Sequence, residues 1–215
     1  GVLVSGVQTI VCDAGSATVD NSVLYSSNYA FSAVASAGSP VSLTATNCTA
    51  ISNGASVVAI RPQQTSGTLA VSFTNVIVLG YAGTYFQSGT VTVTGSNNFG
   101  GSSNPFPAAL QGSPYPITAT TSFSTPLGAG DFAVYMGSNG SLANVTGNDV
   151  WQQGVGPGSN ASVPTTDING VARSGATANP GAFEADGFVA PTVITKTIGA
   201  VGRDYATPIL FNADL

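Results

Sequence analysis

Apolar and polar residues alternate with a period of two over long stretches of this chain. The runs VSLTATNCTAIS (41–52), TLAVSFTNVIVLGY (68–81) and GTVTVTG (89–95) are rich in Val, Ile and Thr, the pattern of half-buried β-strands. Clusters of Gly, Pro, Ser and Asn at 36–40, 52–55, 61–67 and 96–105 separate them and predict turns. No stretch beyond one turn repeats apolar residues at helical spacing. Glu, Lys and Met, which favour helices, together supply three of 215 residues. The chain is expected to be all-β.

A loose repeat sharpens this expectation. Asn21-Ser-Val-Leu-Tyr, Asn47-Cys-Thr-Ala-Ile and Asn75-Val-Ile-Val-Leu superpose at spacings of 26 and 28 residues, and Asn97 or Asn98 follows 22 or 23 residues later. A period of about 20–30 residues with an Asn at a turn predicts stacked coils of a β-solenoid. Equivalent asparagines would hydrogen-bond their neighbours' side-chain amides and so satisfy buried polar groups without charge. The competing reading is that Asn is merely enriched in the turns of an unrelated β fold.

Charge is scarce enough to change the picture. Lys, Arg, Asp and Glu make up 6% of the chain, histidine is absent, and no charged residue occurs from Pro62 to Gly130. Without histidine there is no Ser-His-Asp triad and no imidazole metal site. A net charge of −5 offers no basic stripe, so no nucleic-acid partner is expected. A mean hydropathy of +0.29 argues against disorder. No run approaches the roughly 20 apolar residues of a spanning helix, so no membrane insertion is expected. The N-terminus lacks the basic region of a signal peptide. Cys12 and Cys48 sit in β contexts and read as buried thiols, with a disulfide as the alternative. The four Asn-x-Ser/Thr sequons, at Asn47, Asn139, Asn144 and Asn160, are close to chance in so polar a chain.

The second half of the chain carries a resemblance. TDINGVARSG (166–175) followed by NPGAFE (179–184) is similar to the ending of right-handed parallel β-helix (pectin-lyase-like) domains, D-x-x-G-x-x-R…(D/N)-x-G-A-(F/Y)-E. GAGDFAVYMGSNGSLANVTG (128–147) resembles the stretch that precedes that ending, and TKTIGAVGRDYAT (195–207) resembles the opening strand of another such domain. Pro180 departs from the pattern, standing where the family usually has Ile. The resemblance implies a right-handed parallel β-helix in 1–104, an irregular β-rich cap with the closing motif in 105–187, and a linker with the start of a further module or a subunit-pairing strand in 188–215. Phe123, Phe132, Val134, Tyr135 and Trp151 are the expected anchors of the cap. The sequence reads as part of a longer chain.

Within the closing motif, Asp167 and Asn169-Gly170 suit a tight turn, and Arg173 is placed to pair with Asp167 or Glu184. The structural residues expected are therefore Asn21, Asn47, Asn75, Asp167, Arg173 and Glu184. Asp167 and Glu184 admit a second reading as a glycosidase carboxylate pair, but they lie away from the coil face where related enzymes place catalytic groups. Asp13 and Asp20 are two carboxylates, and Ca²⁺ takes six to eight oxygens. Arg61, before Pro62, is expected to cap a loop. No catalytic residue, cofactor or metal is assigned.

The resemblance implies a noncatalytic structural protein of a bacteriophage virion: a fibre, spike or capsid-decorating appendage. Its expected partners are copies of itself in a homo-oligomer, with a trimer as the candidate state, other virion proteins, and host-surface glycans. The alternatives are a polysaccharide depolymerase on a β-helix scaffold, and an extracellular adhesin or filament subunit at a bacterial surface.

Overall fold

The computed structural model describes residues 3–6 (backbone only), 9–36, 38–52, 57–113, 115–116, 152–168, 170–173, 175–182 and 184. Twelve strands come first: β1 (Leu3–Gly6), β2 (Ile10–Cys12), β3 (Gly15–Asp20), β4 (Val23–Ser26), β5 (Phe31–Ala35), β6 (Val41–Thr46), β7 (Thr49–Ser52), β8 (Val58–Gln64), β9 (Leu69–Thr74), β10 (Ile77–Leu79), β11 (Gly83–Tyr85) and β12 (Val91–Ser96). A 3₁₀ turn at Ala108–Leu110 follows, then the short strands β13 (Gly154–Val155) and β14 (Thr177–Ala178). Among the described residues no helix is long and apolar enough to cross a membrane.

The first twelve strands form three parallel sheets ordered β1-β4-β7-β10, β2-β5-β8-β11 and β3-β6-β9-β12. Each sheet takes every third strand, so the chain visits the first, second and third sheets in that order four times. The expectation of an all-β chain holds.

Two runs that read as single strands, 41–52 and 68–81, are each broken at an asparagine. Asn47-Cys48 separates β6 from β7, and Asn75-Val76 separates β9 from β10. Asn21, Asn47, Asn75 and Asn97 each follow the last residue of a third-sheet strand, with φ of 47°, 51°, 56° and 55°. Asn tolerates this left-handed conformation better than other residues with a Cβ. The choice between Asn97 and Asn98 is thereby settled: Asn97 occupies the turn. Asn98 is fully buried, donating from Nδ2 to the Phe73 and Leu110 carbonyls and accepting from Val76 N–H.

One apolar core lies between the three sheets. Leu24, Ala50 and Val78 enter it from the first sheet, Phe31, Ala33 and Ile60 from the second, and Leu43, Val71 and Phe73 from the third. Large and small residues alternate across the strands. Phe73 is flanked in register by Ala45 and Gly95, and its ring meets Phe31 and Tyr85 edge-on at 5.7 and 6.5 Å between centroids. Gly95 has φ +119° and its Cβ position is occupied by the Phe73 carbonyl, so no other residue fits. Residues 98–112 then close over the last strands. Phe99 bonds to both Val76 and Val78, Ser103 and Asn104 accept from Thr84 and Tyr85, and Phe106 and Leu110 extend the core.

Arg61 does not cap a loop. It lies inside β8 together with a buried Pro62. Proline forfeits one ladder bond, and the bond pattern around it puts that missing rung opposite Phe86. Phe86 N–H reaches Ile60 O and Ser88 N–H reaches Pro62 O, just beyond the end of β11. Arg61 instead lays its guanidinium over the Tyr29 ring, 4.4 Å from the centroid, and donates to the Tyr29 hydroxyl at 2.8 Å. The expected anchors Phe123, Phe132, Val134, Tyr135 and Trp151, and the segments 128–147 and 188–215, lie outside the described residues.

Candidate functional site at the asparagine corner

The first sheet is buried on both faces: every described residue of β4, β7 and β10 is buried. One face feeds the central core. On the other, Val23, Tyr25 and Ile51 pack with Ala182 and Ile168 of the closing motif. The closing segment therefore covers the outside of the first sheet, beside the row of turn asparagines.

Each asparagine of that row is held by the segment. Asn97 donates to Gln153 O at 2.8 Å. Asn75 donates to Val155 O at 2.7 Å, accepts from Val155 N–H at 2.9 Å, and accepts Gly181 N–H on its own carbonyl. Asn47 donates to the Asn179 and Gly181 carbonyls at 3.2 and 3.3 Å. Asn21 donates to Thr166 O at 2.6 Å and accepts from Arg173 Nη1. The described part of the closing segment thus runs along all four passes, fastened at every turn, while residues 98–112 cover the last pass. The expected amide-to-amide bond appears once among the described residues, from Asn75 Nδ2 to Asn47 Oδ1 at 3.1 Å.

The three charged residues of the motif lock the segment to itself. Asp167 is 4% exposed; Oδ1 accepts from Val171 N–H and Oδ2 from Glu184 N–H, both at 2.8 Å, which closes the predicted turn. Arg173 pairs with Glu184, its Nε 3.3 Å from Oε2. Its other nitrogens donate to Thr166 O, Gly181 O and Asn21 Oδ1. Glu184 also accepts from Asn179 N–H at 2.9 Å and from Gln152 Nε2 at 3.1 Å. Burial pushes the Glu184 carboxyl up, against the pull of Asn179 N–H and Arg173, and pushes the Arg173 guanidinium down. Desolvation outweighs attraction on both partners. A buried pair of this kind is expected to fix a geometry more than to add stability.

No protein-family model, curated protein or solved structure matches the chain.

The six residues singled out in the sequence fall into one connected network. Asn21 meets Arg173, Arg173 meets Glu184, and Glu184 meets Asp167. Asn47 and Asn75 join each other and share the Gly181 backbone with Arg173. Both carboxylates are buried and every oxygen accepts a hydrogen bond from within the segment. Thr49, Gln152 and Gly181 were not singled out, yet they belong to the network. Thr49 Oγ1 accepts from Ala182 N–H at 2.9 Å, Gln152 N–H bonds to Asn179 Oδ1 at 2.8 Å, and Gly181 at φ +84° leaves no room for a Cβ beside Thr49 and Ile77. The glycine inside the closing motif was the available signal.

The cysteines are free and buried. Cys48, at the asparagine corner, points its thiol to the Val19 and Thr46 carbonyls, and burial raises its pKa to about 12. Partial desolvation shifts the carboxyl of the exposed Asp20 up. Among the described residues no three His, Cys, Asp or Glu side chains group as a metal site.

Proposed function

We propose that the chain is a noncatalytic structural part of a bacteriophage virion, a fibre, spike or capsid-decorating appendage. In this reading the three parallel sheets are the walls of a right-handed, pectin-lyase-like β-helix, and each pass through them is one coil. The observation that carries it is the fate of the closing motif. Asp167, Arg173, Gly181 and Glu184, which resemble the family's ending, are all used to fasten one segment along the stacked turns. Acidic groups used in this way hold shape and leave none for chemistry at that site. The repeated parallel ladder adds stiffness, because each interior strand is bonded on both sides. The working form is a homo-oligomer, a trimer, assembled with other virion proteins and touching host-surface glycans.

The direct test is immunogold labelling, with antibody against the 215-residue chain, of particles released from a culture that produces it. Gold on the particles is the expected result. Gold confined to the cell envelope would replace this reading with that of a surface adhesin. Sedimentation of the purified chain at micromolar concentration is expected to give a trimer, and a monomer would remove the oligomer from the account.

A further inference from the structure

The outer faces of the three sheets differ. That of the first is covered by the closing segment, and that of the second is mixed, with Val11, Ser32 and Arg61 in register. The third is uniform. Its outward positions form three rows across four strands: Ser16, Ser42, Ala70 and Thr92; Thr18, Thr44, Ser72 and Thr94; Asp20, Thr46, Thr74 and Ser96. Ten of these twelve positions are Ser or Thr. Thr46 and Thr74, beside the asparagine corner, are buried; the first two rows are exposed or half-exposed.

Three properties of those two rows point to one kind of ligand. The register runs through six consecutive residues on every pair of neighbouring strands without a bulge, so the positions are fixed by backbone and not by flexible side chains. Strand separation and two-residue rise set a rectangular lattice of about 4.8 by about 6.6 Å, whose shorter spacing is near the shorter oxygen repeat on a prism face of hexagonal ice. Among the described residues, Ser16, Thr18, Ser42, Thr44, Ser72 and Thr92 spend their hydroxyls on no intramolecular hydrogen bond, and Thr94 makes one long bond, 3.5 Å, to Val71 O. Each of the first six hydroxyls has one donor and two acceptor sites free for water, while the threonine methyls order the water between them.

What the face lacks discriminates among ligands. A glycan would be gripped by aromatic rings, and a protein partner by large apolar or arginine anchors; the two rows hold no ring, no arginine and no apolar side chain larger than that of Ala70. We infer that the outer face of β3, β6, β9 and β12 is an ice-binding surface, with Ser16, Thr18, Ser42, Thr44, Ser72, Thr92 and Thr94 as its contact groups. The inference stands on this sheet alone and holds whichever particle or cell surface carries the chain.

The test is thermal hysteresis and ice shaping by the full 215-residue chain, with its partition into slowly growing ice. The wild-type chain is expected to open a hysteresis gap, facet the crystals and enter the ice. Thr44→Tyr, at the centre of the lattice, is expected to lose all three with an unchanged circular dichroism spectrum, and Ser102→Tyr, off the sheet, to keep them. Thr92→Tyr, on the outermost strand, serves if Thr44→Tyr does not fold. Rejection of the wild-type chain by ice would overturn the inference. So would full activity in the folded Thr44→Tyr or Thr92→Tyr variant, or binding to insoluble polysaccharide with no activity on ice.

Discussion

Asn75 donates its side-chain amide to the side-chain oxygen of Asn47 at 3.1 Å, although both residues are completely buried and belong to successive turns. Each also adopts a positive φ and holds the closing segment. One residue type thus sets the backbone turn, bonds to the turn beside it and, at Asn75, anchors a strand 80 residues away.

Replacing Asn47 separates these roles. Asn47→Ala loses the amide bonds and strains the backbone, and is expected to cost about 3 kcal/mol. Asn47→Gly keeps the turn and loses only the bonds, so about 2 kcal/mol is expected. Urea denaturation of the two variants reads the difference; equal costs would mean the left-handed turn carries no penalty.

The Arg173–Glu184 pair predicts an asymmetry. Arg173→Met strands a buried carboxylate and is expected to cost about 3–5 kcal/mol. The double variant Arg173→Met with Glu184→Met removes both charges and is expected to recover much of that loss. Denaturant midpoints of the single and double variants decide this, and a double variant worse than the single one would mean the pair is a net source of stability.

Gly181→Ala tests how closely the segment sits on the first sheet. Its Cβ would lie 2.7 Å from Thr49 Oγ1 and 3.0 Å from Ile77 Cδ1, at a φ of +84°. A loss of about 2 kcal/mol is expected from strain and displacement together, read as a lower denaturation midpoint. An unchanged midpoint would place the segment farther out.

The pH profile follows from burial. The Glu184 and Asp20 carboxyls are raised in the folded state, so the folded chain binds these protons first. Their contribution to stability is complete below the unfolded carboxylate value and falls as pH rises through the folded value. Cooling of the melting temperature between pH 7 and pH 5 is therefore not expected from these groups. Cys48, raised to about 12, and Tyr81 and Tyr85, raised by burial, likewise favour their protonated forms. Stability is expected to fall from about pH 8.5, the ordinary cysteine value, upward. A melting curve across this range checks both limbs. In the native state at pH 8 both thiols are expected to resist a thiol reagent until denaturant is added.

The sequence announced the periodic parts of this fold because backbone geometry imposes them. Alternation in 41–46, 69–74 and 91–96 arises from a sheet with one face inward and one face in water, and the recurring Asn arises from a turn that needs positive φ. The breaks at Asn47 and Asn75 were hidden because the first-sheet strands that follow are buried on both faces and simply prolong the apolar run. Pro62 misled in the opposite direction: its turn propensity yields to a strand position where only one rung is lost. The closing motif revealed its charged members, but not that they would meet Asn21 across 152 residues. Nothing local in either segment encodes that contact.

The central claim is that the described residues of 152–184 are fastened along the stacked turns. Native-state hydrogen exchange of Val155, Gly181, Ala182 and Glu184, whose N–H groups bond to Asn75, Asn75, Thr49 and Asp167, tests it most directly. The account predicts that these four amides exchange only with the global unfolding that also releases the amides of β6, β7, β9 and β10. Exchange of the four at the rate of free peptide, with the sheets still protected, would contradict it.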